Sequence, residues 1–522
     1  MTTYETLPRL VRAMAETDPE RLYLQTVEGE ELSYAASHAR NLRWAALYEE
    51  LGVKAGDTVC QMLPNTPAFI QSWMGIAWLG AIEVPLNTGY RGNLLVHTLE
   101  DSRAEVLCIS VRFLDQLREV AGGLTRLRTV FVPDITEASQ AGELPFDVVP
   151  GPALELAKDR PVNLHEPRAH DLASILYTSG TTGPSKGVMV SWAQLEETTN
   201  WVLPWEPNEV CYSALPLYHV AGKAYGAYLP ALSGGRGVLR ESFKTREFWS
   251  DIRRFGCTMT GMVGTIPTFL MREPERPDDA DNPLQRVVMV PLIPEVEQMK
   301  KRFGIKVHTE FNMTETSIPL CSDPYVLANE RSVGKVREGY QARIVDDLDN
   351  EVPVNVAGEL VLRSDNPWLL MQGYWQRPDA TVEAWRNLWF HTGDSFYRDE
   401  EGNFYFVDRK KDSIRRRGEN VSSFEIEREV DCHPAVLECA AVGVPSEFGE
   451  DEIKVFVVLK PGKSLEAAEL YEHLVPRLAK FMMPRFISIK ESLPKTPTHK
   501  IRKVELRAET SDPVEWDALQ TS

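Results

Sequence analysis

The sequence predicts an α/β protein: a large N-terminal body of layered α/β subdomains with a β-rich subdomain, then a small α+β C-terminal domain. Two observations predict it. Short apolar runs of strand length alternate with helical patterns through most of the first 400 residues, the order that gives layered, largely parallel sheets. The composition then changes at "DRKKDSIRRRGEN" (408–420), where six basic residues fall within nine positions, and a shorter αβ pattern follows it. A boundary near Lys411 therefore divides the chain into domains 1–410 and 411–522.

Each element follows in order. "DTVCQML" (57–63), "EVLCISV" (105–111), "ASILYTS" (173–179), "RVVMVPL" (286–292) and "KVHTEF" (306–311) read as short buried strands. "NTPAFIQSWMGIAWLGA" (65–81) and "PEVEQMKKRFG" (294–304) are helices between them. "ARIVDD", "GELVLRS" and "NFYFVDR", separated by Asp, Asn and Gly turns, form the β-rich segment. Past the basic cluster come helix "SSFEIEREVDCH", strands "LECAAVGV" and "IKVFVVLKPG", helix "LEAAELYEHL" and strand "FISIK". No internal repeat or low-complexity tract is visible in the sequence.

Bulk properties narrow the function. The chain has 522 residues, 43% apolar and 25% charged, which is globular usage. A net charge of −19 opposes general binding to nucleic acid or acidic membranes, while leaving room for a phosphate in a locally basic cleft. Seven scattered cysteines form no CxxC pair and no metal spacing, which points to reduced thiols and a cytoplasmic setting. The N-terminal residues lack a secretory apolar region, and the most apolar stretch, 69–86, is interrupted by Gln71, Ser72 and Glu83, so no membrane span is expected.

One loop stands out. In "ILYTSGTTGPSKGVMVS" (175–191) an apolar run meets glycines, hydroxyl side chains and Lys186. Backbone N–H groups in such turns make anion-binding concavities, and glycine admits a phosphate without a Cβ clash. No register of 179–187 fits G-x-x-x-x-G-K-[ST], so this is not that phosphate loop. On composition alone, phosphate binding and a flexible surface turn stay equally open.

The full string resolves that choice. "YTSGTTGPSKG" (177–187) resembles the phosphate-loop signature of the adenylate-forming superfamily, which includes acyl-CoA synthetases, peptide-synthetase adenylation domains and luciferases. The resemblance runs through "LGVKAGDTV" (51–59), "GAIEVPLN" (80–87), "PLYHVAG" (216–222), "FNMTET" (311–316), "HTGD" (391–394), "DRKKDSIRRRGENVSSFEIE" (408–427), "VGVPSEFGEDE" (442–452) and "PKTPTHKIRKVEL" (494–506), in the expected order. "MVPLIP" (289–294) departs from the usual Gly-Gly-Ala-Pro stretch and is closer to the carnitine/crotonobetaine-ligase-like branch; His499 stands where a glycine is usual.

The resemblance implies roles for particular residues. Thr178, Ser179, Gly180, Thr181, Thr182, Gly183 and Lys186 would close over the β- and γ-phosphates of ATP. Thr314 would meet the α-phosphate and Glu315 would hold Mg²⁺, for which a hard oxygen donor is suited. Phe311 would stack on adenine, Asn312 would offer an amide to the purine edge, and Asp394 with Arg409 would hold the ribose. Lys500 would bridge the substrate carboxylate and the α-phosphate as charge builds. Lys411 would be the hinge on which the C-terminal domain turns between two half-reactions, bringing Arg417 and Gly418 to the pantetheine of CoA. The run Arg415–Arg417 also reads as a solvated basic face. His219 would wall the acyl site, or else be a satisfied core histidine. Lys223 is expected to be exposed, the alternative being a pairing with a second carboxylate on the substrate.

The implied activity is ATP-dependent activation of an organic carboxylate to an acyl-adenylate, then transfer to CoA. Other acceptors in the superfamily are carrier-protein pantetheine and amines, and nitrite is an alternative acid. A nucleotide-binding protein without chemistry is the remote alternative; it would have damaged Lys500, Glu315 or Asp394, and all three are intact. Only sixteen residues follow Leu506, which leaves no room there for a carrier domain. Dimers are frequent in the superfamily, so the resemblance leaves a homodimer open, and no nucleic-acid partner is expected.

Overall fold

The computed structural model describes residues 4–157, 162–178, 185–199, 209–264, 266–409, 414–416, 419–421, 423–445, 451–478, 482–495, 501–509 and 516–519. Two compact units emerge, one of Met1–Ala342 with Leu362–Trp389, the other of Arg343–Val361 with Phe390–Ser522. Lys411, the expected hinge, lies outside the described residues.

The first unit holds two seven-stranded sheets of like plan. One runs in spatial order Asp147–Pro150, Thr129–Val132, Val106–Ile109, Thr58–Met62, Ile82–Pro85, Leu172–Thr178, Lys186–Ser191, parallel throughout until the last pair. The other runs Lys306–His308, Arg286–Val290, Met259–Val263, Val210–Ser213, Arg236–Leu239, Leu22–Thr26, Glu31–Ser33, again parallel except for the final edge. Parallel strands covered on both faces explain why most residues of these short segments are apolar.

Helix Pro67–Trp78 shows why residues 69–86 are so apolar without crossing a membrane. It touches Leu22–Thr26 of one sheet and Ile82–Pro85 of the other, so ten of its side chains and Gly75 face protein on every side. Its neighbour Tyr34–Glu50 starts where Ser33 Oγ accepts from the Ala36 amide at 3.1 Å. The two helices cross at Gly75, where a Cβ would lie 2.5 Å from Trp44 Cβ.

In the second unit, strands Phe390–Arg398 and Phe404–Arg409 pair antiparallel. A separate sheet orders Val436–Pro445, Asp451–Leu459, Phe486–Lys490 and Trp516–Asp517. Helices Ser423–Asp431 and Ala467–Leu474 belong with it, and Ile426, Val455, Val457, Leu470 and Ile487 form its core. Every segment read as a strand or helix in the sequence contains one here, with ends shifted by one to a few residues; "KVHTEF" divides into Lys306–His308 and Glu310–Phe311, and Val436–Pro445 and Asp451–Leu459 start before the strands read there.

Candidate active site

Strand Leu172–Thr178 brings the chain to the glycine- and hydroxyl-rich loop, and Lys186–Ser191 takes it back antiparallel, with Thr178 paired to Lys186. Ser179, Gly180, Thr181, Thr182 and Gly183 lie outside the described residues. The exit from the loop is firmly held. His97 Nε2 lies 2.9 Å from the Ser185 carbonyl. The Trp375 amide donates to Gly187 at 2.7 Å, and Met189 exchanges backbone bonds with Gly373 and Gln372 at 3.0 Å each. A Cβ on Gly187 would meet Ile175 at 2.6 Å, so only glycine lets these segments approach so closely.

That same segment reaches the "FNMTET" residues. Lys186 Nζ sits 4.8 Å from the centre of the Tyr374 ring, and Tyr374 Oη donates to Glu315 Oε1 at 3.1 Å. Burial and the Glu315 carboxylate push the Tyr374 hydroxyl far above its ordinary range, so it stays a neutral donor. Met371 N donates to the Glu315 carbonyl at 2.8 Å, and Gln194 Nε2, on the buried helix Trp192–Glu197, donates to the Thr314 carbonyl at 2.9 Å. Lys186 and Glu315, 129 positions apart in sequence, are thus joined through one aromatic ring. Phe311 is buried on the two-residue strand Glu310–Phe311, paired with Leu320, and Asn312 follows it half-buried. His219 caps the short helix Val220–Lys223, half-buried, with its ring 4.7 Å from that of Tyr218.

Lys223 overturns its expectation. It is wholly buried, and Nζ donates to Glu83 Oε1 and Oε2 at 2.7 and 2.6 Å, with the Trp73 ring centre 3.6 Å away. Ser174 and Gln61 also donate to Glu83. Burial moves both groups toward their neutral forms, Lys223 down to about 8 and Glu83 up, while each partner opposes the other's shift. The lysine is neither exposed nor available to a substrate carboxylate, because the protein supplies that carboxylate itself.

In the second unit, Asp394 lies directly opposite Arg409 in the antiparallel ladder, so the two residues expected at the ribose are neighbours. Asp394 is buried, and its amide donates to Thr392 Oγ1 at 3.1 Å. Glu359 accepts from the Gly393 amide at 3.1 Å, which steadies the turn where Gly393 takes φ +71°. Arg417, Gly418 and Lys500 lie outside the described residues.

Sequence reading passed over Tyr374, Gln194 and Glu83. Tyr374 stands in "GYW" (373–375) and looks like any core aromatic; nothing local ties it to Glu315. Glu83 carried a faint signal, an acid inside the otherwise apolar strand "IEVP".

Two family profiles match this arrangement. The AMP-binding enzyme profile covers residues 11–375, and the AMP-binding enzyme C-terminal domain profile covers 425–500. The chain belongs to the AMP-binding enzyme family. Among curated members of this family, crotonobetaine/carnitine–CoA ligases of Salmonella enteritidis and Salmonella typhi are 32% identical over 504 residues, covering 94% of this chain and 96% of theirs. ATP-bound MatB from Rhodopseudomonas palustris superposes with TM-score 0.81 at 26% identity, over 97% of this chain and 99% of its own. The anthranilate CoA ligase AuaEII in complex with anthranoyl-AMP reaches TM-score 0.85 at 24% identity, over 97% and 98%, a likeness of fold. Among the described residues of this AMP-binding enzyme, no helix is long and apolar enough to cross a membrane, and no three His, Cys, Asp or Glu side chains gather as a metal site.

Proposed function

We propose that the chain is an AMP-forming acyl-CoA ligase. In the first half-reaction a carboxylate oxygen of the acid attacks the α-phosphorus of ATP, the bond to the bridging oxygen breaks, and acyl-adenylate and pyrophosphate form. In the second, the sulfur of CoA attacks the acyl carbon and AMP leaves with the bonding pair. The observation that carries this reading is the array Lys186–Tyr374–Glu315, which holds a cation and a hard oxygen donor on one half-buried ring beside the phosphate-loop strands.

Within it, Thr178 through Lys186 would take the β- and γ-phosphates, Thr314 the α-phosphate, Phe311 and Asn312 the adenine, and Asp394 with Arg409 the ribose. A single protein carboxylate fits Mg²⁺ carried in on a nucleotide, because that ion keeps water and phosphate oxygens as most of its ligands. Glu315 is the residue that would hold it, oriented by the Tyr374 hydroxyl. When bound, the ion would offset phosphate charge. Lys500 would neutralise charge growing between carboxylate and α-phosphate, and turning at Lys411 would replace it with the Arg417–Gly418 region for thioester formation. His219 would border the acyl group. Free CoA is favoured over carrier protein, amine or nitrite chemistry, since the curated relatives are named CoA ligases. The free thiols of all seven cysteines support a cytoplasmic site, and light scattering will read whether the chain is a homodimer.

The test is carboxylate-dependent exchange of pyrophosphate into ATP without CoA, followed by AMP release as CoA is added. Crotonobetaine and carnitine, the acids of the named relatives, head the panel. Exchange that needs acid but not CoA, with CoA accelerating AMP release, is the expected result; ATP binding without exchange on any acid would remove the reading. Within that assay Tyr374→Phe keeps the ring over Lys186 but removes the donor to Glu315. The Mg²⁺ concentration for half-maximal exchange should rise about tenfold, as for other residues that orient a metal ligand. An unchanged Mg²⁺ titration would show that the hydroxyl does not orient Glu315.

A further inference from the structure

One buried charge is used by none of these roles. Glu310, immediately before Phe311, is 6% exposed, and its Oε2 has no hydrogen-bond partner among the described residues. An unpaired buried carboxyl is costly, and burial pushes this one up to about 8. Arg337, whose charge opposes that shift, is committed elsewhere: it donates to Glu197 at 2.7 Å and to the Ile318 carbonyl at 2.8 Å. Glu83, Glu197 and Glu209, also buried in this unit, each have a basic partner within hydrogen-bond reach, and Glu196 and Glu315 accept from the Glu5 amide and the Tyr374 hydroxyl. Groups that break the pairing rule in this way concentrate where a ligand supplies the missing partner.

Its place in the fold says which ligand. In the parallel ladder Val263 pairs with Val290, and Val288 with His308. Thr309 Oγ1 donates to the Met289 carbonyl at 2.8 Å, which keeps the chain alongside past the last ladder pair. Extending that register by two residues sets Glu310 level with Val290 and Val263, at the carboxyl ends of the strands, where open α/β sheets bind ligands. Val263 is 39% exposed there, so this row is reachable. Tyr225 lies against the same strands, its ring so close over Gly261 that a Cβ would meet Cε2 at 2.7 Å, and burial with the Glu310 carboxylate pushes its hydroxyl well above its ordinary range. Neighbouring side chains on an extended strand face opposite ways, so adenine stacked on Phe311 leaves Glu310 on the acyl side.

We propose that Glu310, with the ring of Tyr225, is the counter-ion for a positively charged ammonium group on the acyl substrate, and so selects zwitterionic carboxylates over neutral ones. The proposal rests on the acyl-CoA ligase reading and names the substrate class of that site. A carboxylate beside an aromatic face suits primary and quaternary ammonium alike. Glu310 is a specificity residue and takes no part in the bonds that form and break.

The experiment is pyrophosphate exchange by the full chain on pairs of acids matched in shape and differing in charge. The pairs are 4-trimethylammoniobutyrate against 5,5-dimethylhexanoate, 4-aminobutyrate against pentanoate, and 4-(aminomethyl)benzoate against 4-ethylbenzoate. In the wild type the charged member of at least one pair should lead by about 100-fold in kcat/KM, the scale of a buried charge pair. Glu310→Gln should erase most of that lead while Glu310→Asp keeps part of it, with exchange on the neutral acid retained. The wild-type comparison needs no variant, so a poorly folding substitution leaves the test intact. Exchange led by the neutral members, or a lead unchanged in Glu310→Gln, would overturn the proposal while the ligase reading stands. Exchange with no acid at all would remove both.

Discussion

Lys223→Met is expected to destabilise the first unit by about 3–5 kcal/mol, the cost of leaving a buried carboxylate without its partner. Both members of the Lys223–Glu83 pair are completely buried, so water cannot solvate Glu83 once the ammonium is gone. Ser174 and Gln61 would still donate to it, but neither carries charge. The stacked ring of Trp73 adds to the loss, since its centre lies 3.6 Å from the ammonium. The midpoint of thermal unfolding should fall by several degrees. The double variant Lys223→Met, Glu83→Gln should recover much of the loss, because the unpaired charge rather than the missing contact is what costs most. A single variant as stable as wild type, or a double variant less stable than the single, would mean that the pair is not ionised. Below the unfolding range the ranking of acid substrates should not change in Lys223→Met, because the ammonium is spent on Glu83. A reordered ranking would instead connect this lysine to the acyl site.

Lys500→Ala should reduce adenylation by about three orders of magnitude while sparing the second half-reaction. The attacking carboxylate and the α-phosphate are both anionic, so a cation between them lowers a barrier that is largely electrostatic. No such repulsion opposes a thiol approaching an acyl-adenylate. Single-turnover pyrophosphate release measures the first step, and mixing preformed acyl-adenylate with CoA measures the second. Loss confined to the first step is the expected result. Equal loss in both would refute the assigned role and imply that the substitution damages the domain as a whole.

Much of the candidate site could be proposed from the sequence because its residues sit in short contiguous strings. Thr178, Lys186, Thr314, Glu315 and Asp394 could be singled out from motif and order, and the structure adds that Asp394 and Arg409 are opposite one another in a ladder. The groups that were not legible act across long separations. Tyr374 touches Glu315 from 59 positions away, Gln194 reaches the Thr314 carbonyl from 120, and Glu83 meets Lys223 from 140. Lys223 was misjudged for the same reason: an isolated lysine is usually solvated, and only a partner brought in by another strand makes its burial tolerable.

The sequence by itself determined the class of fold, the order of its elements and the chemistry on offer, because apolar period and motif spacing are local properties of the chain. Only the tertiary structure decided that two stretches without detectable repetition build sheets of the same plan, each parallel up to one antiparallel edge. It also decided which buried charges are paired. Lys223 finds Glu83 and Arg337 finds Glu197, while Glu310 is left with none among the described residues. Pairing depends on which strands end side by side, and that is a consequence of three-dimensional packing that no local pattern encodes.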